Sequence, residues 1–207
     1  MKLKFPGRFF VTGTDTGVGK TFVCALLARG LEASYWKPVQ TGFVDGLDSD
    51  AVREAAGLDA ARIIPETCLF RKPLSPHLAA GIEGQRIDIE RFDLSGKPAS
   101  LIIEGAGGVM VPLNEDFMVI DLIKKLGVPA LVVAPNRLGV INHTLLTIQA
   151  LRGAGIDILG VILNQAVNND HKEAIEHYGR VPVLAQLDIL EPVNPQTLKE
   201  KFNELFL

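Results

Sequence analysis

Three stretches carry residue types at spacings that suit chemistry. The first is Gly13-Thr14-Asp15-Thr16-Gly17-Val18-Gly19-Lys20-Thr21. It follows the β-branched and aromatic run Arg8-Phe9-Phe10-Val11-Thr12 and precedes the apolar Phe22-Val23-Cys24-Ala25-Leu26-Leu27. Strand, Gly-rich turn, Gly-Lys-Thr, helix is the context of a phosphate-binding loop. Backbone N–H groups of such a turn converge on an anion, and the helix N-terminus adds partial positive charge. Lys20 would reach the β- and γ-phosphates, and the Thr21 hydroxyl would ligate Mg²⁺. The strict pattern has Gly five residues before Gly19; here Thr14 stands there and Gly13 lies one position further out. An ordinary Gly-rich turn accounts for the glycines but not for Gly-Lys-Thr at that junction.

The second stretch is Leu101-Ile102-Ile103-Glu104-Gly105-Ala106-Gly107-Gly108-Val109. An apolar strand ending in an acid resembles a Walker B strand, whose carboxylate holds Mg²⁺ directly or through water. Glycines after Glu104 let backbone approach a ligand closely. The bland alternative is a charged strand end followed by a turn. The third is Trp36-Lys37-Pro38-Val39-Gln40-Thr41-Gly42, where Lys37 ends a strand near the same crevice. It would supply a second cation beside transferring phosphate, although position alone slightly favours a solvated lysine.

Weaker signals surround these. In Asp45-Gly46-Leu47-Asp48-Ser49-Asp50-Ala51, a polar turn leads into a helix with Asp48 as candidate N-cap. Asp50 is either a first-turn acid favoured by the helix dipole or a Mg²⁺ ligand. Ser75 and Pro76 open a short helix as N-cap and N1, with His77 a substrate contact or a surface histidine. The loop Pro135 to His143 opens another helix whose N–H groups suit a carboxylate. Asn164-Gln165 offers amides to a purine edge, or caps a turn. His171 and His177 are six apart, wrong for shared ligation, and read as surface residues.

The elements that must hold these residues alternate. Strands are expected over 8–13, 34–38, 100–104, 129–134, 157–163 and 182–185. Helices are expected over 19–31, 48–56, 77–82, 116–126, 140–153, 168–178 and 195–206, with a short solvated helix between Asp88 and Asp93. Leu131-Val132-Val133-Ala134 and Leu159-Gly160-Val161-Ile162-Leu163 are apolar without alternation, as in strands covered on both faces. The fold class is therefore α/β: a P-loop NTPase-like, mostly parallel sheet with helices on both faces. Ligands of such sheets bind beyond the carboxyl ends of the strands.

Composition narrows the classes further. At 207 residues the chain reads as one domain over 1–207. A net charge of −3 gives no basic excess for a polyanion, which speaks against nucleic acid as partner. Apolar runs are strand-sized, so no membrane partner is expected. Cys24 and Cys68 lack metal spacing; Cys24 reads as a core thiol, and no disulfide framework is expected. With no signal-peptide core at the N-terminus, the expected location is cytoplasmic.

Taken together, the motifs resemble the dethiobiotin synthetase family. Gly13 to Thr21 is similar to that family's phosphate loop, which also lacks Gly at the place of Thr14. Lys37-Pro38-Val39, Ser49-Asp50-Ala51, Ser75-Pro76-His77, Glu104 to Gly108 and Leu138 to His143 match further family motifs in order. The resemblance covers nearly the whole chain. It implies a ligase joining 7,8-diaminononanoate, CO₂ and ATP into a cyclic urea, with release of ADP and phosphate. It implies Thr21, Asp50 and Glu104 around Mg²⁺, and Lys20 and Lys37 as the catalytic cations. Thr16, Gly17, Val18, Gly19, Lys20, Thr21 and Phe22 would meet nucleotide. So would Glu104, Gly105, Ala106, Gly107, Asn164 and Gln165, with Asp188, Ile189 and Leu190 beside the base. Thr41 would contact the diamine or the carbamate, and Pro76 would belong to the substrate site. Backbone at Gly139, Val140, Ile141 and Asn142 would bind its carboxylate across a homodimer interface. Three positions depart from the family: Gly17 where some members carry Glu, Thr41 where some carry Ser, and Asp188 where many carry Pro. The alternatives are a switch ATPase of the MinD/ParA sort, whose early loop Lys is absent here, and a scaffold without nucleotide.

Overall fold

Successive residues of a strand point to opposite faces, and in this chain both faces are apolar. In the computed structural model, which describes residues 4–44 and 46–207, the strands are β1 (Arg8–Gly13), β2 (Ser34–Trp36), β3 (Val39–Thr41), β4 (Ile63–Ile64), β5 (Cys68–Phe70), β6 (Leu101–Gly108), β7 (Ala130–Pro135), β8 (Ile158–Asn164) and β9 (Val183–Gln186). The helices are α1 (Lys20–Leu31), α2 (Asp48–Ala56), α3 (Pro76–Ile82), α4 (Val119–Leu126), α5 (Val140–Gly153), α6 (Asn169–Gly179) and α7 (Pro195–Phe206). Seven strands form one sheet in the order β4-β2-β6-β1-β7-β8-β9, and β3 and β5 pair separately. The pairings are parallel throughout. The expected α/β class holds.

Two apolar layers sandwich the sheet. Phe9, Val11, Tyr35, Ile102, Leu131, Val133 and Ile162 face α1, α2 and α7. Their strand neighbours Phe10, Trp36, Leu101, Ile103, Val132, Ala134 and Val161 face α3, α4, α5 and α6. Burial on both faces is why these strands read as continuous apolar runs. Cys24 lies wholly buried in the α1 layer, as expected. No helix among the described residues is long and apolar enough to cross a membrane.

Several boundaries differ from the sequence reading, each for a local reason. β6 runs on to Gly108, which pairs with Gly13; a Cβ at Gly108 would stand 3.3 Å from the Gly13 carbonyl. β3, β4 and β5 have three residues or fewer, too short to show a period. The helix expected from 116 begins at Val119 because Asn114 Oδ1 accepts the N–H groups of Asp116 and Phe117 in a turn. Asp88 to Asp93 is not a solvated helix: Ile89–Arg91 forms a single 3₁₀ turn that buries Ile87, Ile89 and Phe92. Leu47, not Asp48, is the N-cap of α2. Asp45, where the polar turn before α2 was expected to begin, lies outside the described residues.

Candidate active site

Parallel register builds the site. Tyr35 of β2 is paired with Ile102 of β6. Two residues on, where each chain again points to the same face, come Lys37 and Glu104. Two more side chains reach that face from the first turn of α1, Lys20 and Thr21. Glu104 is buried, 1% exposed, and both of its oxygens are occupied. Oε1 accepts from Thr21 Oγ1 at 2.9 Å and from Lys37 Nζ at 2.9 Å; Oε2 accepts from Tyr35 Oη at 2.8 Å. Lys37 also donates to Asp48, the first residue of α2.

The two lysines are held differently. Burial works to lower the pKa of Lys37, but the Glu104 and Asp48 carboxylates and their hydrogen bonds outweigh it, and the net shift is upward. Lys37 is thus a fixed cation. At Lys20 burial dominates and pulls the pKa down; Glu104 opposes this only in part, and Lys37 adds repulsion. Lys20 Nζ donates to the Asp15 carbonyl at 3.0 Å, folded back over its own loop. The hydroxyl of Tyr35 and the thiol of Cys24 are both pushed well upward, first by burial and then by Glu104.

The loop itself is clamped from two sides. Thr14 N–H donates to the Val133 carbonyl of β7. Asn164, at the end of β8, donates through Nδ2 to the Val18 carbonyl at 3.0 Å. Its amide fills the space where a Cβ of Gly19 would sit, 2.0 Å away, and Gly19 has φ +93°. A side chain there would be excluded on both counts. Asn164, read from sequence as a base contact, therefore spends its amide N–H on the loop. Gln165 is exposed beside it.

A cleft of about 660 Å³ opens over these groups, within the range of small-molecule sites. Thr16, Gly17, Lys20, Thr21, Lys37, Thr41, Pro76, Glu104, Ala106 and Gly107, all expected from sequence, line it. Val18 and Gly105 are buried just behind, and Phe22 packs into the α1 layer. Asp50 is not brought in: its side chain is 59% exposed and meets Arg53 at 3.4 Å. Its neighbour on the helix, Asp48, lines the cleft instead. Gly139 to Asn142 form the start of α5 and Asp188 to Leu190 follow β9; neither set lines the cleft. His77 accepts or donates at Ser75 Oγ, 3.2 Å away, so the Ser75 hydroxyl does not cap α3. His171 is not a free surface residue: its Nδ1 lies 2.6 Å from Asn136 Oδ1, within a network that includes Gln186.

Among the described residues no cluster of three or more His, Cys, Asp or Glu suits a metal. A hard cation bound beside phosphate needs only one or two carboxylates. The Thr21 hydroxyl and Glu104 carboxylate, already in contact, are an oxygen pair of that kind, so the residues fit Mg²⁺. Sequence reasoning missed Tyr35, Gln40 and Asp48 as site residues. The i, i+2 spacing of Tyr35 and Lys37 was the available signal for the first.

Tyr35→Phe strips the hydroxyl that donates to Glu104 Oε2 and leaves that oxygen buried. We expect a loss of about 1–3 kcal/mol in urea unfolding, with the fold retained by far-UV circular dichroism. No change would mean that the hydroxyl is not a structural partner of Glu104.

A family profile described as an AAA domain matches residues 7–197. The ATP-dependent dethiobiotin synthetase BioD of Paramagnetospirillum magneticum (strain ATCC 700264 / AMB-1) is 48% identical, over 91% of each chain. The biotin biosynthesis bifunctional protein BioCD of Bordetella avium (strain 197N) is 46% identical over 93% of this chain, which spans 42% of that longer protein. Among solved structures, the septum site-determining protein MinD of Pyrococcus horikoshii OT3 superposes with a TM-score of 0.54 at 16% identity, covering 95% of this chain and 88% of that one. At that identity the likeness is one of fold, and it is the BioD relative, 48% identical over 91% of each chain, that decides: this chain belongs to the ATP-dependent dethiobiotin synthetase family.

Proposed function

We propose that this chain, acting as one domain over 1–207, makes dethiobiotin from 7,8-diaminononanoate, CO₂ and ATP. One observation supports this above others: two buried lysines flank a single buried carboxylate in one cleft, one on the phosphate loop and one on the neighbouring strand. One amine of the substrate captures CO₂ and loses a proton, giving a carbamate. A carbamate oxygen attacks the γ-phosphorus of ATP, ADP leaves, and a carbamic–phosphoric anhydride forms. The second amine then attacks the carbonyl carbon and gives up a proton, phosphate departs carrying it as hydrogen phosphate, and the ring closes.

Phosphoryl transfer of this kind asks for positioning and charge neutralisation more than for a strong base. Lys37, kept protonated by its two carboxylates, would stabilise charge on the carbamate and the transferring phosphoryl group. Lys20 would leave the Asp15 carbonyl for the β- and γ-phosphates, which restores the partner that burial denies it. Thr21 and Glu104 would hold Mg²⁺, with the acids of the first turn of α2, Asp48 and Asp50, as further oxygen sources. When bound there, Mg²⁺ would supply charge neutralisation on the phosphates. Thr41 and Pro76 would bound the diamine. Asn164, Gln165 and Asp188 to Leu190 would border the base.

The substrate carboxylate would sit on the N–H groups of Gly139 to Asn142 in a second copy of the chain. In support, α5 starts with no side-chain cap, and Met110, Leu138 and Leu146 leave apolar surface exposed. Sedimentation showing only monomer at assay concentrations would remove this part. A cytoplasmic location is in keeping with Cys24 and Cys68 as free thiols.

The test is mass detection of dethiobiotin from diaminononanoate, bicarbonate and Mg-ATP. In the same assay Lys37→Ala should lower kcat by roughly 10²–10³-fold, with little change in the KM for ATP. Equal losses in both would make Lys37 a nucleotide-binding residue, and no product from the wild type would remove the proposal.

A further inference from the structure

Gln40 lies in the middle of β3 and lines the cleft beside Lys37 and Thr41. It is 5% exposed. Among the described residues its carboxamide makes no hydrogen bond. The oxygen Oε1 is closed off from solvent without a partner, whereas the NH₂ end is not so enclosed. Buried polar groups without partners are few in folded proteins, and each asks for a reason. Leaving one unpaired lowers stability, so an apolar residue of similar length would suit this wall better if packing were its only duty.

A ligand acceptor cannot pair with Oε1, but it can take a hydrogen bond from the NH₂ end and so give a carboxamide that has no partner one hold in the cleft. Lys37, fixed as a cation, marks where negative charge is to be held. The group expected there, on the function proposed above, is the carbamate. Its oxygens are acceptors, and the free end of Gln40 is a donor. We propose that Gln40 is a substrate-binding residue, whose Nε2–H donates to the carbamate formed on the diamine. It contributes to selection of the carbamylated diamine, not of the nucleotide. Sites that pair a ligand's polar group discriminate more strongly than sites that only enclose it.

The trial compares wild type with Gln40→Met and Gln40→Glu. Gln40→Met keeps length and removes both polar atoms. Without ligands its thermal midpoint should equal or exceed that of the wild type, since an unpaired polar group is gone. Its kcat/KM for the diamine should fall about 10- to 100-fold, while calorimetric affinity for ATP stays within about twofold of wild type. Gln40→Glu sets a negative charge against the carbamate and should be slower than Gln40→Met. A lower midpoint or a failure to fold in Gln40→Met assigns the residue to packing and overturns the proposal. So does an unchanged kcat/KM, and so does Gln40→Glu matching the wild type. If the wild type itself makes no product, the proposed function falls and this assignment with it. Product from the wild type with an unchanged variant overturns only the role of Gln40.

Discussion

The structure depends on one buried carboxylate. Glu104 sits 1% exposed between β2 and α1 and accepts from Thr21, Lys37 and Tyr35. A buried charge is tolerable only when it is paired and hydrogen-bonded, and its three donors come from two separate demands of the chain. Tyr35 and Lys37 arrive by the period of two along β2 and the turn after it. Thr21 arrives because the phosphate loop ends in a helix on that face of the sheet. The parallel pairing of β2 with β6 thus does more than close a sheet. It brings the phosphate loop and the strand-two lysine to a common acid.

The same geometry leaves other groups in need. Lys20 is buried with its charge disfavoured, and it leans on the carbonyl of Asp15. The Gln40 oxygen has no partner. In a protein selected for stability alone such groups would be replaced; in this cleft their donors, Lys20 Nζ and, on the assignment proposed above, the NH₂ end of Gln40, are open to ligand atoms. Lys37 is the opposite case, with two carboxylates holding it cationic. One lysine is fixed in charge and position while the other is under-partnered, a division suited to a site where a phosphate arrives and a carbamate is made.

Much of this was legible in the residues. Gly19-Lys20-Thr21, the acid at the end of an apolar strand and the apolar runs gave the loop, Glu104 and the two-faced sheet, because each rests on local chemistry. α2, α5 and α7 run over the residues their sequence patterns indicate. What escaped was long-range. Lys37 was expected as a cation of the site, but its partners Glu104 and Asp48 were not. Asp48 looks like a helix cap until Lys37 is seen above it. Asn164 offers its amide to a base in sequence, but to Val18 in space. The strands β3, β4 and β5 are too short for any period to show. The missed site contacts join residues well separated in the chain, whereas the misplaced element boundaries came from local turns such as the one at Asn114.

The central claim is that Lys37 and Glu104 act as one unit. A double-mutant cycle on urea unfolding, with Lys37→Met, Glu104→Gln and the pair, tests it directly. The account predicts a coupling energy of at least about 1 kcal/mol between the two positions. Losses that simply add would contradict it.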